Sequence, residues 1–191
     1  TTSGIAQRNG AVAAINAGGF YDANGTGTGR SPYGFIIHDG KFVLGQNVSD
    51  GEVNEFVGFT EGGNLIAGNY SKGELIAMGV KEGISFGPAL IVNGEKMITS
   101  GDGGWGVGPR TAIGQRKDGT VLFLVIDGRQ PSYSIGATLR DVQNILYEEG
   151  AYIAANLDGG SSSTLFMNGN VINKPADLLG ERMIPTAFIV K

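Results

Sequence analysis

The stretch Asn156-Leu157-Asp158-Gly159-Gly160-Ser161-Ser162-Ser163-Thr164 decides how the rest of the sequence is interpreted. The run that leads into it, residues 151–157, is almost wholly apolar and predicts a buried strand that ends beside Asp158. The glycines let backbone N–H groups turn toward a ligand, and the hydroxyl side chains offer hydrogen-bond donors without charge. A simple turn rich in Gly and Ser has the same composition. The stretch therefore gains a functional meaning only from the motifs around it.

The composition indicates one globular domain. A chain of 191 residues is long enough to bury about 70% of its unfolded surface, and 41% hydrophobic against 17% charged residues argues against disorder. Glycine is abundant, at 34 residues, but it follows no short period and is accompanied by only 6 prolines, which excludes collagen-like and low-complexity chains. We therefore expect the glycines to serve turns and bulges in a fold with many short strands.

Glycine-containing turns between apolar runs predict β-hairpins, because Asp, Asn and Gly tolerate the left-handed backbone of tight turns. Four of the turns contain Asp-Gly or Asn-Gly, and one contains Glu61-Gly62-Gly63. The predicted hairpins join residues 33–37 to 41–44, 53–59 to 64–67, 89–92 to 96–98, 111–114 to 121–126 and 164–167 to 171–172. With a closing strand at 186–190, most of the sheet is predicted to be antiparallel.

A long helix is predicted over residues 137–149, where Thr138 and Asp141 have capping-box spacing and one face is apolar (Leu139, Val142, Ile145 and Leu146). Residues 74–80 fit a short helix or a strand, and residues 1–10 are expected to be the end of a longer N-terminal helix. The predicted fold class is α+β: a mainly antiparallel curved sheet built of hairpins, with one long and one or two short helices packed on it, in a single domain of residues 1–191.

Charge and residue usage argue against several classes of function. A net charge of −4 without a basic cluster argues against a nucleic-acid partner, and no apolar run is long enough to span a membrane. The absence of cysteine removes thiol nucleophiles and disulfides. His38 is the only histidine and lies beside the Asp39-Gly40 turn, where we expect it to face solvent. A Ser-His-Asp triad built on residues 161–163 is therefore not expected.

Three predicted strand ends carry polar side chains of the kind used in catalysis. Asn16, Asp127 and Asp158 each follow an apolar run, and Arg110 stands just before a further strand. A guanidinium beside two carboxylates and a Gly-Ser loop suits an anionic substrate, because its planar fork matches phosphate oxygens. The alternative is that Arg110 only neutralises Asp127 or Asp158 in an ion pair.

Four motifs, in this order along the chain, resemble those of the phosphodiester glycosidase family. They are Asn16-Ala17-Gly18-Gly19-Phe20, Arg110-Thr111-Ala112-Ile113-Gly114, Asp127-Gly128-Arg129 and Asn156-Leu157-Asp158-Gly159-Gly160-Ser161-Ser162. The resemblance implies a hydrolase that cleaves a sugar-1-phosphodiester at the anomeric carbon and releases an N-acetylglucosamine-like sugar and a phosphomonoester. It also implies a bacterial, exported protein of the cell envelope or extracellular space, acting on phosphosugars or anionic glycans.

The resemblance and the residue chemistry together suggest roles. Asp158 is expected to be the nucleophile or base at C1, and Arg110 to clamp the phosphate with help from the backbone N–H groups of residues 159–162. Asp127 is expected to orient Arg110, to hold a sugar hydroxyl or to be the second carboxylate, and Asn16 to bind a sugar hydroxyl or N-acetyl group. The expected substrate-binding residues are Asn16, Gly18, Gly19, Arg30, Thr111, Arg129, Asn156, Gly159, Gly160, Ser161 and Ser162.

Some alternatives stay open in the sequence. Trp105, in a glycine-rich loop before Arg110, is expected either to stack on a sugar ring or to be an ordinary core residue, and Tyr133 is a similar case. The expected chemistry requires no cofactor, but Ca²⁺ is a candidate because carboxylate, amide and hydroxyl oxygens suit it; the loop that starts at Asp22 is the weak signal for it. The rival functions are a non-catalytic envelope module that binds anionic glycans and a metal-dependent phosphodiesterase that cleaves P–O.

Overall fold

The computed structural model describes residues 1–22 and 28–191. In these residues the helices are α1 (Thr2–Arg8), α2 (Lys72–Ala77) and α3 (Leu139–Glu148), and a 3₁₀ turn covers Gly160–Ser162. The strands are β1 (Ala13–Asn16), β2 (Ile36–His38), β3 (Lys41–Leu44), β4 (Val53–Thr60), β5 (Leu65–Ser71), β6 (Val80–Ile84), β7 (Ala89–Val92), β8 (Glu95–Lys96), β9 (Arg110–Arg116), β10 (Val121–Ile126), β11 (Ala151–Leu157), β12 (Leu165–Met167), β13 (Asn170–Val171) and β14 (Ala187–Val190).

The strands form three antiparallel sheets, which confirms the α+β class but divides the single curved sheet that the hairpins suggested. The first sheet has the order β13-β12-β1-β14, the second β10-β9-β11-β7-β8 and the third β3-β2-β6-β4-β5. The division follows from pairings between distant parts of the chain, such as β1 with β14 and β11 with β7. Pairings of this kind leave no local signal in a sequence.

The five expected hairpins form, because their turn residues adopt the left-handed backbone. Asp39 and Gly40 have φ values of 50° and 72°, and Asn168 and Gly169 have values of 48° and 90°. The segment 74–80 was ambiguous because it contains parts of two elements. A capping box at Ser71 starts α2, which ends at Ala77, and β6 begins at Val80.

The long helix α3 covers the second sheet. Its capping box at Thr138 forms as expected, and Leu139, Val142 and Leu146 are buried in one core cluster with residues of β7, β9 and β11. Ile145, expected on the same face, is instead 37% exposed. Gln143 is fully buried, and its side-chain amide both accepts from the Ile98 N–H (2.7 Å) and donates to the Ile98 carbonyl (3.0 Å). This pair of bonds fixes the start of the loop that leads to Trp105.

A second core cluster lies where the three sheets meet. Ile15 of β1, Ile84 of β6 and Ile113 of β9 are buried in it together with Leu157, the last residue of β11. Burial of these side chains holds the ends of β1 and β11 against each other. At the outer edge of the third sheet, the His38 side chain is 74% exposed and contacts Glu82, as expected of a surface histidine. In the described part of the chain, the helices are too short and too polar to cross a membrane.

Candidate active site

The ends of four strands meet at one edge of the second sheet, and this edge is formed by strand ends rather than by an outer strand. Arg110 begins β9 opposite the last residue of β10, so Asp127 lies next to it along the edge. The last residue of β11 pairs with the second residue of β9, which brings Asp158 to the same edge. The end of β1 joins them, because the Asp158 N–H donates to the Ala17 carbonyl (2.9 Å). The antiparallel register therefore gathers the four motifs around one place.

Asp158 has the most perturbed carboxyl group at this edge. Burial raises the pKa of Asp158 from 3.8 to about 6, while hydrogen bonds from the Ser162 side chain and the Gly159 backbone oppose this by favouring the carboxylate. A carboxyl group with a pKa close to neutrality exchanges a proton readily under ordinary conditions. Asp158 is therefore suited to proton transfer at a reacting centre.

The turn after Asp158 is held against the start of β9. The Gly160 N–H donates to the Pro109 carbonyl (2.9 Å), and a Cβ atom added at Gly159 would lie 2.8 Å from the same oxygen. Gly160 has φ 60°, a left-handed backbone that favours glycine. The Ser162 N–H donates to the Gly159 carbonyl (3.1 Å). The N–H groups of Gly160 and Ser162, expected to assist a phosphate clamp, thus already donate to backbone carbonyls, and Ser161 at the tip of the turn is partly exposed.

Asn16 positions this turn from below and is fully buried. Its Nδ2 donates to the Asp158 carbonyl (2.5 Å), and its Oδ1 accepts from the Thr111 hydroxyl (2.9 Å) and from the Thr164 N–H (3.0 Å). Thr111 is fully buried as well. Both side chains, predicted to bind substrate, lie under the site and connect β1, β9 and the turn.

The guanidinium of Arg110, predicted to clamp the phosphate, is bound by backbone carbonyls. Nε donates to Ala137 (2.9 Å), and one terminal nitrogen donates to Trp105 (3.1 Å) and Gly106 (2.5 Å). The side chain is 5% exposed, and neither Asp127 nor Asp158 forms an ion pair with it among the described residues. Arg110 thus holds the Trp105 loop in place, and it contributes positive charge to the site from behind.

Arg129 has the exposed guanidinium at this edge. Its two terminal nitrogens lie 3.2 Å from the position that a Cβ atom at Gly160 would occupy. Its positive charge also lowers the pKa of Arg110, after the larger effect of burial, so the two guanidinium groups are near neighbours. Arg129 has φ 58°, an uncommon backbone for a residue with a Cβ, which aims its side chain over the turn. The pair of arginines gives this edge a positive potential beside Asp158.

Asp127 serves a neighbouring segment instead of Arg110. Its carboxylate accepts from the Asn173 side chain (2.9 Å) and from the Lys174 N–H (3.0 Å). Asn173 in turn donates to the Ser163 carbonyl (3.1 Å). The expected orientation of Arg110 by Asp127 is therefore wrong, since the carboxylate instead ties residues 173–174 to the far side of the Ser-rich turn.

The other predicted substrate-binding residues lie close to the turn in different ways. The Gly18 N–H donates to the Thr186 hydroxyl (2.8 Å), and the Tyr33 hydroxyl fills the space beside Gly19 where a side chain would stand. Asn156 is fully buried, and its Nδ2 donates to the Gly87 carbonyl (2.9 Å). Asn156 therefore supports the site from within, whereas Gly19 allows the Tyr33 side chain to approach the backbone closely.

Two residues that the sequence did not single out approach Asp158. The negative charges of Asp158 and Glu55 both raise the pKa of Tyr33, after the larger effect of burial, so both carboxyl groups lie near its phenol. The Glu55 carboxylate also packs on Gly87, where an added Cβ would lie 2.7 Å from Oε2. An outward-facing glutamate in a strand is common, and Tyr33 follows a polar loop. The sequence therefore held no signal that distinguishes them.

Aromatic and basic side chains surround this edge at greater distance. Trp105 is 51% exposed and packs edge-to-face on Phe86, with ring centroids 6.0 Å apart, so it is not an ordinary core residue. Tyr133 is exposed, and the Lys174 ammonium lies 5.0 Å from its ring centre. Arg30 is exposed on the segment that leads to Tyr33.

Metal ligation was a weak expectation from the loop beginning at Asp22, and residues 23–27 of that loop lie outside the described part of the chain. Asp22 itself forms an ion pair with Arg182. Within residues 1–22 and 28–191, no three His, Asp or Glu side chains converge in a way that would hold a metal ion.

A buried carboxyl group with a raised pKa, two residues before the glycine on which the exposed Arg129 packs, makes this a candidate active site. Comparison with known proteins identifies the class of protein. The sequence model of the phosphodiester glycosidase family matches residues 9–191. The chain therefore belongs to the phosphodiester glycosidase family, a family of hydrolases.

The curated relatives that match this chain are longer proteins, and the match covers only part of each. The SPbeta prophage-derived uncharacterized protein YomE of Bacillus subtilis is 31% identical over 99% of this chain, which covers 29% of that protein. The Bos taurus N-acetylglucosamine-1-phosphodiester alpha-N-acetylglucosaminidase is 31% identical over 40% of this chain and 14% of its own length. The chain thus spans less than a third of either curated relative.

A solved structure shares the fold. The catalytic domain of zebrafish N-acetylglucosamine-1-phosphodiester alpha-N-acetylglucosaminidase, auto-inhibited by its pro-peptide, superposes with a TM-score of 0.77 at 24% sequence identity. The match covers 100% of this chain and 66% of that one.

Proposed function

We propose that this domain hydrolyses a sugar-1-phosphodiester at the anomeric C–O bond, releasing an N-acetylglucosamine-like sugar and a phosphomonoester. The proposal rests chiefly on Asp158, a buried carboxyl group with a pKa near 6 that stands beside an exposed guanidinium. Family membership supports it, as do the names of the bovine and zebrafish relatives, which specify cleavage of N-acetylglucosamine-1-phosphodiesters.

Asp158 acts as the general base in this proposal. Its carboxylate takes a proton from a water molecule while the water oxygen forms a bond to C1 of the sugar. The bond between C1 and the bridging oxygen breaks, and its electron pair leaves with the phosphate. Since only the carboxylate accepts a proton, kcat/KM is expected to rise with pH through the pKa of Asp158, at about 6, as the group ionises.

Arg129 binds the phosphate in place of the expected Arg110. Its exposed guanidinium matches two phosphate oxygens, and it stabilises the charge that accumulates on the leaving group as the C–O bond breaks. A phosphomonoester is a good leaving group, so this cationic stabilisation replaces much of the need for an acid. Arg110 adds positive potential from its buried position while it holds the Trp105 loop.

Hydrolysis in ¹⁸O-labelled water tests the bond that breaks. With a sugar-1-phosphodiester as substrate, we expect the label in the released sugar and none in the phosphomonoester. Asp158→Asn is expected to abolish turnover, whereas Asp118→Asn, in the exposed Asp118-Gly119 turn at the opposite end of β9, is expected to be fully active.

Two results would contradict the proposal. Label found in the phosphate would mean P–O cleavage, the chemistry of a phosphodiesterase. Binding without turnover, with equal affinity in the wild type and Asp158→Asn, would mean a glycan-binding module.

A further inference from the structure

Glu55 is placed by its strand so that its carboxylate reaches the site. It precedes Phe56 in β4, which is buried in the core of the third sheet, so the alternation along the strand places Glu55 on the opposite face. That is the face on which Val57 is buried in the cluster where the three sheets meet, and Glu55 lies at its exposed end. Its side chain is exposed and therefore accessible to a ligand. A position of this kind would be unremarkable if the side chain pointed into solvent alone.

The carboxylate instead packs against the backbone of Gly87. A Cβ atom added there would lie 2.7 Å from Oε2 and 3.0 Å from Oε1, so both oxygens face this glycine and any larger residue would displace them. Gly87 belongs to the supporting structure of the site, because its carbonyl accepts from the Asn156 side chain (2.9 Å). Asn156 lies two residues before Asp158 on the same chain segment.

Tyr33 provides a second link between Glu55 and Asp158. The Tyr33 hydroxyl lies over Gly19, two residues after Ala17, whose carbonyl accepts from the Asp158 N–H. The pKa of Tyr33 is raised by burial and by the negative charges of Asp158 and Glu55. Two carboxyl groups, one in β4 of the third sheet and one directly after β11 of the second, therefore both lie near one phenol. Glycoside-cleaving enzymes ordinarily use carboxyl groups in pairs.

We propose that Glu55 is the second catalytic carboxylate, whose negative charge stabilises the positive charge that develops at C1 of the sugar as the C–O bond breaks. This inference rests on the proposed function. In this assignment Asp158, which is largely buried, accepts the proton from water. Glu55, which is exposed to solvent, supplies the negative charge that stabilises C1. Asp127, bound to residues 173 and 174, is not needed for either role.

Glu55→Gln tests the assignment, with Glu52→Gln as the matched control. Glu52 is an exposed glutamate three residues earlier; its backbone N–H donates to the Ser49 carbonyl and its own carbonyl accepts from the Lys72 N–H. Loss of a charge that acts on the transition state is expected to lower kcat about 100- to 1,000-fold and to leave KM within about twofold. The rise of kcat/KM near pH 6 should persist in Glu55→Gln, because Glu55 is not among the causes of the Asp158 pKa shift.

Titration of Tyr33 adds a readout that does not depend on activity. In protein carrying ¹³C-labelled tyrosine, Glu55→Gln should lower the pKa of Tyr33, and Glu52→Gln should not. If Glu55→Gln keeps kcat, if it changes only KM, or if it leaves the Tyr33 titration unchanged, the assignment is overturned while the proposed function stands. If the wild type hydrolyses no sugar-1-phosphodiester, both are overturned.

Discussion

Replacing Asp158 with asparagine should make the protein more stable while making it inactive. Asparagine has nearly the same size, and its Oδ1 can accept the hydrogen bonds that the Ser162 side chain and the Gly159 backbone give to the carboxylate. What the substitution removes is a charge in a buried place. The wild type retains this charge at neutral pH because catalysis needs it, at the expense of folding stability.

The size and pH window of the effect follow from the pKa of Asp158. Raising it from 3.8 in the unfolded chain to about 6 in the folded protein corresponds to about 3 kcal/mol of destabilisation once the group is ionised in both states. Between these two values the folded state binds more protons than the unfolded state, so stability falls as pH rises. The cost is therefore absent below the unfolded pKa and complete above about pH 6.

Urea unfolding of the wild type and of Asp158→Asn across this range measures the effect, with circular dichroism as the signal. We expect the variant to exceed the wild type by up to about 3 kcal/mol at about pH 8, and by little at about pH 4. Asp118→Asn is a control that should change the free energy of unfolding in the opposite direction. Hydrogen bonds from the Thr120 backbone lower the pKa of Asp118, so loss of its charge should destabilise the protein. A constant difference between wild type and Asp158→Asn at every pH would refute the reasoning.

Three further predictions concern the surroundings of Asp158. Gly160→Ala forces a methyl group toward Arg129, so it should raise KM for the phosphodiester several-fold; Gly10→Ala, with a similar φ (64° against 60°) and open space around it, should cost about 1 kcal/mol of stability and no activity. Asn16→Ala removes three buried hydrogen bonds and should lower the free energy of unfolding by about 3 kcal/mol in urea titrations, whereas unchanged stability would mean that Asn16 does not hold the turn. Trp105 is the sole tryptophan and half exposed, so substrate should shift its fluorescence in wild type and in Asp158→Asn alike; an unchanged spectrum at saturating substrate would place the sugar elsewhere.

The sequence alone predicts those parts of the fold that depend on interactions between residues close together in the chain. Asp39-Gly40 and Asn168-Gly169 specify tight turns by their own backbone preferences, and Thr138 caps α3 through a residue three positions away. The strand ends at Asp127 and Asp158 were also visible, because each interrupts an apolar run. None of this required knowledge of which strands pair.

The roles of individual side chains depended on contacts that no local pattern encodes. The position of Arg110 just before a strand predicts a phosphate clamp, yet its partners are carbonyls of residues 105 and 106 and of Ala137. The position of Asn16 at a strand end is typical of a ligand-binding residue, but in the folded protein it is buried beneath the turn. Glu55 gives no signal in the sequence, because an exposed glutamate in a strand is ordinary. Its significance comes from the packing of its carboxylate on Gly87, which only the structure shows.

The buried hydrogen bonds around Asn16 explain how the domain tolerates a charge at Asp158. The raised pKa of that carboxyl group corresponds to a net cost of about 3 kcal/mol at neutral pH, and the three hydrogen bonds that Asn16 makes contribute about 1 kcal/mol each. These bonds connect β1, β9 and the turn after β11, so they hold Asp158 in its desolvated position when relaxation toward water would otherwise relieve the cost. The Asn16 and Asp158 motifs are therefore coupled: the first, far away in the sequence, supplies the rigidity that lets the second keep a pKa useful for proton transfer.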